Sequence, residues 1–322
     1  MSVEEITLSE LEPDEFIAEK VNVIQQEVGD KVVINALSGG VDSAVVTMLG
    51  HKALGEQLKT YFVDNGLMRE GEPEQVAGWF ADLGVKIEIV DESDRFFAAL
   101  KGVTDPEEKR EKGITQVFYK DVFAELVRQS GARVLLQGTN FTDAEETAAG
   151  VKRQHNVFEQ IGIDPEEAFG YKVLEPIVEL RKPAIREVAR ALGLPDEICD
   201  RPPFPGPALA TRIIGEVTPK RVETIRKATT IVEEELGDSD AFQYMAILHE
   251  DRVTGIRNGE RDFGKQIEVR CWESTDAVTG TPTDLSYDKL CTLGKRISSE
   301  VPGVVSVTYN ITPKPPSCIE AV

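Results

Sequence analysis

The chain has 322 residues, of which 41% are hydrophobic, so it can bury the core of one large or two ordinary domains. Its 57 acidic and 36 basic residues give a net charge of −21, which disfavours broad nucleic-acid binding because such binding needs a basic surface. No apolar run approaches the ~20 residues of a membrane span. The acidic N-terminus lacks a signal-peptide pattern, and the four scattered cysteines form no metal-binding pair. These features predict a soluble, cytoplasmic protein without a membrane partner.

The first part of the chain alternates between helix and strand patterns. Apolar residues at helical spacing from Ile17 to Val28 predict a first helix that ends at Gly29. The elements predicted after it are a strand from Val32, a helix from Ala44 to Leu54, a strand at 58–63, a helix at 70–83, a strand at 85–90, helices at 92–100 and 106–130, strands at 133–137 and 172–176, and a helix at 183–192. Residues 140–170 are polar and predict a mobile loop. This alternation predicts an α/β domain built on a doubly wound parallel sheet.

The most informative segment joins the first strand to its helix. It reads Ser38-Gly39-Gly40-Val41-Asp42-Ser43. A helix N-terminus after a glycine turn offers backbone N–H groups and the positive end of the helix dipole, which suits phosphate. Asp42 fits a Mg²⁺ ligand better than a phosphate contact. The segment is not a Walker A loop, because no Gly-Lys-Ser/Thr follows the glycines.

Three polar or glycine positions follow directly after predicted strands. They are Ser38, Asp64 and Gly138. Ligands of parallel sheets bind at the carboxyl ends of the strands, so these positions predict one shared nucleotide site.

A proline-rich run divides the chain. Residues 201–207 contain four prolines, which neither a helix nor a central strand accommodates. We therefore predict a first domain at 1–203 and a second at 204–322. In the second, a helix at 218–235, strands near 242–248, 265–272 and 303–311, and a helix near 286–299 predict a smaller α+β domain.

The six-residue loop resembles the pyrophosphate loop (PP-loop) of ATP pyrophosphatases. Further strings occur in the same order as in the ATP-pyrophosphatase part of GMP synthases: VDNGLMREGE (63–72), TDPEEKR (104–110), QGT (137–139), RPPFPGPALATRIIGEVT (201–218) and KPPSCIE (314–320). The similarity spans nearly the whole chain. It implies an adenine nucleotide alpha-hydrolase-like PP-loop domain, and a C-terminal domain that mediates homodimerisation and helps to hold the nucleotide substrate.

The resemblance also implies a reaction. Members of this family use ATP and Mg²⁺ to adenylylate the 2-oxygen of xanthosine monophosphate (XMP), release pyrophosphate, and let ammonia displace AMP to give GMP. Only 37 residues precede the loop, too few for a glutaminase domain. The resemblance is thus to the split form, in which a separate glutamine amidotransferase subunit delivers ammonia.

Site residues are carried over by position. The catalytic candidates are Asp42, Lys152 and His155. The candidate ATP and pyrophosphate contacts are Ser38, Gly39, Gly40, Val41, Asp42, Ser43, Val63, Leu67, Met68 and Gly138. The candidate substrate contacts are Arg212, Arg270, Lys314 and Glu320, and the candidate Mg²⁺ ligands are Asp42 and Asp143. For Lys109 and Arg110 two interpretations stay open, an ordered segment near the active site or the solvated end of a charged helix.

Several positions depart from the family pattern. Gln154 replaces a histidine and Phe158 a glycine in the loop that holds Lys152; Val178 replaces an arginine, Ala208 a glycine, Asn310 an aspartate and Cys318 a threonine. Three hypotheses follow. The chain is a divergent XMP aminase, a paralogue that adenylylates another carbonyl compound for amidation or thiolation, or a non-catalytic nucleotide-binding protein.

Overall fold

The computed structural model describes residues 3–148, 171–201, 204–257, 259–275 and 278–321. The chain divides into two compact units. The first comprises Met1–Asp64, Glu72–Glu92 and Ile114–Arg201, and the second comprises Asn65–Gly71, Ser93–Gly113 and Pro202–Val322. The second unit therefore contains two segments from the N-terminal half of the chain as well as the C-terminal part.

Most of the helices lie where the sequence predicted them, and Phe141–Ala148 and Asp196–Cys199 are helices that it did not predict. The helices are α1 (Pro13–Val28), α2 (Val41–Leu54), α3 (Glu72–Asp82), α4 (Ser93–Leu100), α5 (Pro106–Arg110), α6 (Ala124–Ser130), α7 (Phe141–Ala148), α8 (Lys182–Ala191), α9 (Asp196–Cys199), α10 (Pro219–Leu236) and α11 (Tyr287–Glu300). Residues Glu111–Phe123 form a π-helical stretch, and short 3-10 turns occupy Gly55–Gln57 and Ala208–Arg212.

A five-stranded parallel sheet forms the centre of the first unit. Its strands are β1 (Val33–Ala36), β2 (Leu58–Asp64), β3 (Ile87–Asp91), β4 (Val134–Leu136) and β5 (Lys172–Leu174). They lie in the order β3-β2-β1-β4-β5, and every neighbouring pair is parallel. The order reverses between β1 and β4, so the predicted doubly wound sheet is confirmed and its switch point lies at the carboxyl end of β1.

Close packing fixes the helix that follows β1. The middle of α2 is buried on all sides, since every residue from Ala44 to Gly50 is buried. A Cβ added to Gly50 would lie only 2.6 Å from Cδ1 of Leu136 in β4 and 2.9 Å from Cδ2 of Leu58 in β2. The absent side chain lets α2 approach the sheet closely, and this sets the position of its N-terminus.

One expectation about the chain between β4 and β5 is wrong. Residues 140–170 were expected to form a mobile loop, but Phe141–Ala148 is helical. Asn140 and Asp143 exchange hydrogen bonds at its start: the Asp143 N–H donates to Asn140 Oδ1 (3.1 Å), and the Asn140 N–H donates to Asp143 Oδ2 (3.2 Å). This reciprocal capping begins a helix in a polar sequence that lacks apolar periodicity. Residues 149–170 lie outside the described residues.

The second unit contains a four-stranded sheet. Its strands are β6 (Gln243–Arg257), β7 (Glu260–Glu273), β8 (Thr281–Pro282) and β9 (Val304–Tyr309). The long β6 and β7 form an antiparallel hairpin, and β7 pairs on its other side with β9 in parallel and with β8 in antiparallel orientation. Helix α10 packs on β6 and α11 packs on β9. The expected α+β architecture is confirmed.

Across the described ranges, no helix is both long enough and apolar enough to cross a membrane.

Candidate active site

The loop between β1 and α2 has the backbone form of an anion site. Gly40 is the N-terminal cap residue of α2 and makes no side-chain capping hydrogen bond. The first hydrogen bond of the helix runs from the Ala44 N–H to the Gly40 carbonyl (3.0 Å). The N–H groups of residues 41–43 therefore precede the helix's own hydrogen bonding, at the positive end of its dipole.

Two serine hydroxyls close the loop. Ser43 Oγ donates to the Gly40 carbonyl (3.0 Å) and accepts from the Ser38 N–H (3.1 Å). The two hydroxyl oxygens are 3.0 Å apart. Because the Ser43 proton is used at Gly40, the Ser38 hydroxyl is the donor of this pair. The sequence-predicted residues 38–43 thus form one compact hydrogen-bonded turn.

A buried ion pair lies beneath Gly39. Gly39 has a φ of +77°, and its carbonyl accepts from Nη1 of Arg201 (3.0 Å). Nη2 of Arg201 contacts Oε1 of Glu72 at 2.7 Å, and the Glu72 side chain is 1% exposed. A Cβ on Gly39 would lie 3.0 Å from Arg201 Nη1 and 3.1 Å from Glu72 Oε1. The position requires glycine for two reasons, its left-handed φ and the lack of space for a side chain.

Asp42 lies in the first turn of α2 and has two polar neighbours. Its Oδ2 accepts from Nζ of Lys182 (2.7 Å), at the start of α8, and from Nδ2 of Asn140 (3.3 Å). Its Oδ1 is buried and has no hydrogen-bond partner among the described residues. A buried carboxylate oxygen without a partner is costly, so this atom fits a position where a ligand completes its coordination.

Asn140 connects the two candidate Mg²⁺ ligands. Its side-chain nitrogen donates to Asp42, and its side-chain oxygen accepts from the backbone of Asp143. The structure thereby brings Asp42 and Asp143, which the sequence proposed separately, to the two sides of one asparagine. No group of three or more His, Cys, Asp or Glu side chains suited to a metal occurs in the described part of the chain.

Gly138 follows β4 and packs against the start of α2. A Cβ at this position would lie 3.2 Å from the Asp42 carbonyl carbon and 3.2 Å from the Ser43 nitrogen. The glycine lets the segment after β4 touch the helix N-terminus. Strands β1 and β4 flank the switch point, so this contact lies at the carboxyl edge of the sheet, where parallel sheets bind ligands.

In the second unit, three of the four candidate substrate residues form one cluster with the C-terminal segment. Arg270 on β7 donates through Nη1 to the carbonyls of Cys318 (2.7 Å), Ile319 (3.2 Å) and Glu320 (3.2 Å). Oε1 of Glu320 accepts from Gln243 (2.9 Å). Arg270 is therefore not an exposed strand cation; it holds the C-terminal segment against the sheet.

Arg212 and Lys314 complete this set. Arg212 is 1% exposed; its Nε lies 4.0 Å from Oε2 of Glu320, and its guanidinium stacks on the Phe204 ring. The backbone of Lys314 pairs with Gly280 in both directions. The structure thus places Arg212, Arg270 and Glu320 side by side and puts Lys314 on the segment that leads to Glu320.

A carboxylate fixes Arg270 in turn. Glu268 accepts from Arg270 Nε (2.5 Å), from His249 Nε2 (2.9 Å) and from Asn310 Nδ2 (3.1 Å). Burial by itself would raise the pKa of Glu268. The three hydrogen bonds outweigh that effect and lower its pKa to about 2.

The backbone of the second unit explains why the family has glycine at position 208. Ala208, which stands where the family has glycine, has a φ of +52° and is 1% exposed. Left-handed backbone favours glycine, so the family residue suits the conformation better than alanine does.

Lys109 is not the solvated end of a charged helix, so that interpretation is wrong for this residue. It is 1% exposed and donates to the Ile213 carbonyl (2.7 Å). Burial lowers its pKa to about 8.

Comparisons with known proteins find similarity along most of the chain. Residues 230–321 match the family model described as GMP synthase C terminal domain, and residues 22–159 match the model described as asparagine synthase. A subunit of the glutamine-hydrolyzing GMP synthase from Archaeoglobus fulgidus is 47% identical over 310 residues, which covers 96% of this chain and 99% of that protein. The corresponding subunit from Methanocaldococcus jannaschii is 46% identical over 314 residues, covering 96% and 99%.

The chain belongs to the GMP synthase family. The resemblance inferred from the loop and its accompanying strings is confirmed by identity over nearly the full length of both chains.

Seven residues of this GMP synthase family member that the sequence analysis named are either outside the described residues or buried. Lys152, His155, Gln154 and Phe158 fall outside the described residues. Val63, Leu67 and Met68 are buried at 4%, 1% and 9% exposure. Their assignment to the adenosine stays a prediction.

The departure at Val178 belongs to a different place. Val178 lines a surface cavity of about 630 Å³ together with N-terminal residues such as Val3 and Ile6. No residue of the loop at 38–43 lines this cavity.

Four residues that contact the loop were not predicted as site residues. They are Glu72, Arg201, Asn140 and Lys182. Glu72 and Arg201 lie within the strings that carried the resemblance, at 63–72 and 201–218, but no local pattern indicates that they meet under Gly39. Asn140 carried a detectable signal, since Asn-x-x-Asp is a helix-capping pattern.

Proposed function

We propose that this chain catalyses the ATP-dependent amination of XMP to GMP. In this reaction ATP adenylylates XMP, pyrophosphate leaves, and ammonia displaces AMP. The observation that carries the proposal is the 38–43 loop at the sheet switch point, in a chain that is 47% identical over 96% of its length to a GMP synthase subunit.

The backbone of the loop provides the binding chemistry. The oxygen of XMP is a poor leaving group until it carries AMP. Pyrophosphate gains negative charge as it separates from the α-phosphate. N–H groups of residues 40–43 would donate to it, and the Ser38 and Ser43 hydroxyls, whose protons are donated within the loop, would hold the loop in shape. Donors fixed in advance stabilise such charge without reorganising, and this is the basis of oxyanion-type catalysis.

The residues near Asp42 fit a magnesium ion. Mg²⁺ at nucleotide sites takes one or two carboxylates together with substrate phosphates, so a cage of three acidic residues is not required. Asp42, through its unpartnered Oδ1, and Asp143 would hold it. When bound, the ion supplies charge compensation to the phosphates. The contact of Lys182 with Oδ2 keeps the Asp42 carboxylate oriented.

The remaining assignments are part of the same proposal. Lys152 would stabilise the charge shed during adenylyl transfer, and His155 would act beside it. Val63, Leu67 and Met68 would surround the adenosine. Arg212, Arg270, Lys314 and Glu320 would contact XMP. Basic side chains suit its 5′-phosphate.

The assembly follows from the same family assignment. The relatives are named as one subunit of a glutamine-hydrolyzing synthase. We propose that a separate glutamine amidotransferase subunit delivers ammonia to this chain, that the protein acts in the cytoplasm, and that two copies associate through the C-terminal domain. The domain limits proposed are 1–203 and 204–322.

The test is product analysis with purified protein, ATP, MgCl₂ and ammonium chloride, with and without XMP. We expect AMP, pyrophosphate and GMP in equimolar amounts, formed only with XMP. ATP cleavage that depends on another carbonyl compound but not on XMP would favour the paralogue hypothesis. Tight ATP binding without turnover would favour the non-catalytic hypothesis. Release of ADP and phosphate would contradict the loop assignment.

A further inference from the structure

The buried pair of Arg201 and Glu72 contacts one peptide group of the loop, through the Gly39 carbonyl. We infer that Arg201, held by Glu72, is a positioning residue that keeps the Gly39–Gly40 peptide turned for pyrophosphate binding. This inference rests on the proposed function. Arg201 and Glu72 themselves are not among the residues expected to touch the nucleotide.

The geometry of a trans peptide carries the first step. The carbonyl of Gly39 and the N–H of Gly40 belong to one planar peptide and point in opposite directions. Arg201 Nη1 holds that carbonyl from below at 3.0 Å. The Gly40 N–H is therefore directed away from Arg201, and in this inference it joins the N–H groups of residues 41–43 as an anion donor.

The flexibility of the loop explains why such a restraint is needed. Glycine tolerates both signs of φ, so a peptide between two glycines can rotate at little steric cost. The rotated form would replace the Gly40 N–H by the Gly39 carbonyl oxygen, which repels an anion. A hydrogen bond from a charged donor to the carbonyl opposes this rotation, because charged hydrogen bonds are stronger than neutral ones.

Glu72 explains why the restraint is rigid. Its side chain is 1% exposed and that of Arg201 is 13% exposed, so the pair is largely removed from solvent. The planar guanidinium contacts Gly39 through Nη1 and Glu72 through Nη2, two different nitrogens. Lysine has no such fork and is not an equivalent replacement.

The experiment compares two ion pairs of the same unit. Lys20 and Glu179 form a pair at 2.8 Å, with the Lys20 side chain 10% exposed, and neither residue contacts the loop. Arg201→Met and Lys20→Met each remove the cation from a largely buried pair. The readouts are the Kd of inorganic pyrophosphate with MgCl₂, measured by calorimetry, and the urea midpoint of unfolding.

We expect Arg201→Met to raise the Kd of pyrophosphate by about tenfold to a hundredfold. The variant loses the charged hydrogen bond to the Gly39 carbonyl, which restrains the peptide. Lys20→Met should lower the urea midpoint but leave this Kd within about twofold. Arg201→Lys, which keeps the charge and is the fallback should Arg201→Met not fold, should weaken pyrophosphate binding to an intermediate degree.

The positioning role would be overturned if Arg201→Met bound pyrophosphate with the same Kd as the unmodified chain. If only Arg201→Lys folds, the same comparison is made with that variant. An unchanged Kd would leave the proposed function intact, because the unmodified chain would still bind pyrophosphate. An unmodified chain without pyrophosphate affinity would overturn both.

Discussion

Replacing Ala208 by glycine tests whether this chain carries backbone strain where its family has none. Ala208 has a φ of +52° and is 1% exposed. An L-residue with a Cβ pays about 1–2 kcal/mol for left-handed backbone, and glycine does not. Glycine makes the unfolded chain more flexible, which costs about 0.4–1 kcal/mol, and the substitution also removes one buried methyl group.

A neighbouring alanine isolates the conformational part of this free energy. Ala210 lies in the same 3-10 turn, is also 1% exposed and does not have a positive φ. Ala210→Gly carries the same unfolded-state and methyl costs without relief of strain. The free energy of unfolding of Ala208→Gly should therefore exceed that of Ala210→Gly by about 1–2 kcal/mol.

The measurement is urea unfolding followed by tryptophan fluorescence. The chain has two tryptophans, and Trp272 is completely buried in the second unit. A Trp79→Phe background leaves Trp272 as the reporter of the unit that contains Ala208. If the two glycine variants are equally stable, or if Ala208→Gly is the less stable, strain at this position does not exist.

Three further predictions concern other residues. Asp42→Asn should lower XMP-dependent pyrophosphate release by about a hundredfold or more while the urea midpoint changes little, because the shape is kept and a charge near the reacting phosphates is lost; near-normal turnover would contradict its role. The pKa of Lys109 is about 8 in the folded chain and 10.5 ordinarily, so between these pH values the folded chain binds fewer protons than the unfolded chain and becomes more stable as the pH rises. The free energy of unfolding, measured relative to Lys109→Met, should therefore rise by roughly 1–2 kcal/mol from pH 7 to pH 9.5. A difference between the two proteins that does not change with pH would refute this. Asn310→Asp places a second carboxylate about 3 Å from that of Glu268. The free energy of unfolding, measured with urea, should fall by about 1–3 kcal/mol at pH 7 and by less at pH 5.

The parallel sheet and the loop could be predicted because their signals are local. Each strand is a short apolar run, and the turn at 38–43 needs glycines and hydroxyls at fixed neighbouring positions. The order of the motifs along the chain was enough to indicate the family.

Local signals failed where a polar segment has no apolar periodicity. The helix Phe141–Ala148 was missed because its start depends on capping by Asn140 and Asp143 rather than on apolar spacing. The burial of Lys109 was equally invisible, because a lysine in a charged stretch looks solvated until its surroundings are known.

What only the tertiary structure decided is which distant residues meet. Arg201 reaches Gly39 across 162 positions, and Lys182 reaches Asp42 across 140. Neither contact leaves a periodic or compositional trace, since a single side chain that crosses between elements can come from anywhere in the chain. The sequence by itself therefore determined the anion-binding turn and its family, whereas folding determined which side chains hold that turn in its binding form.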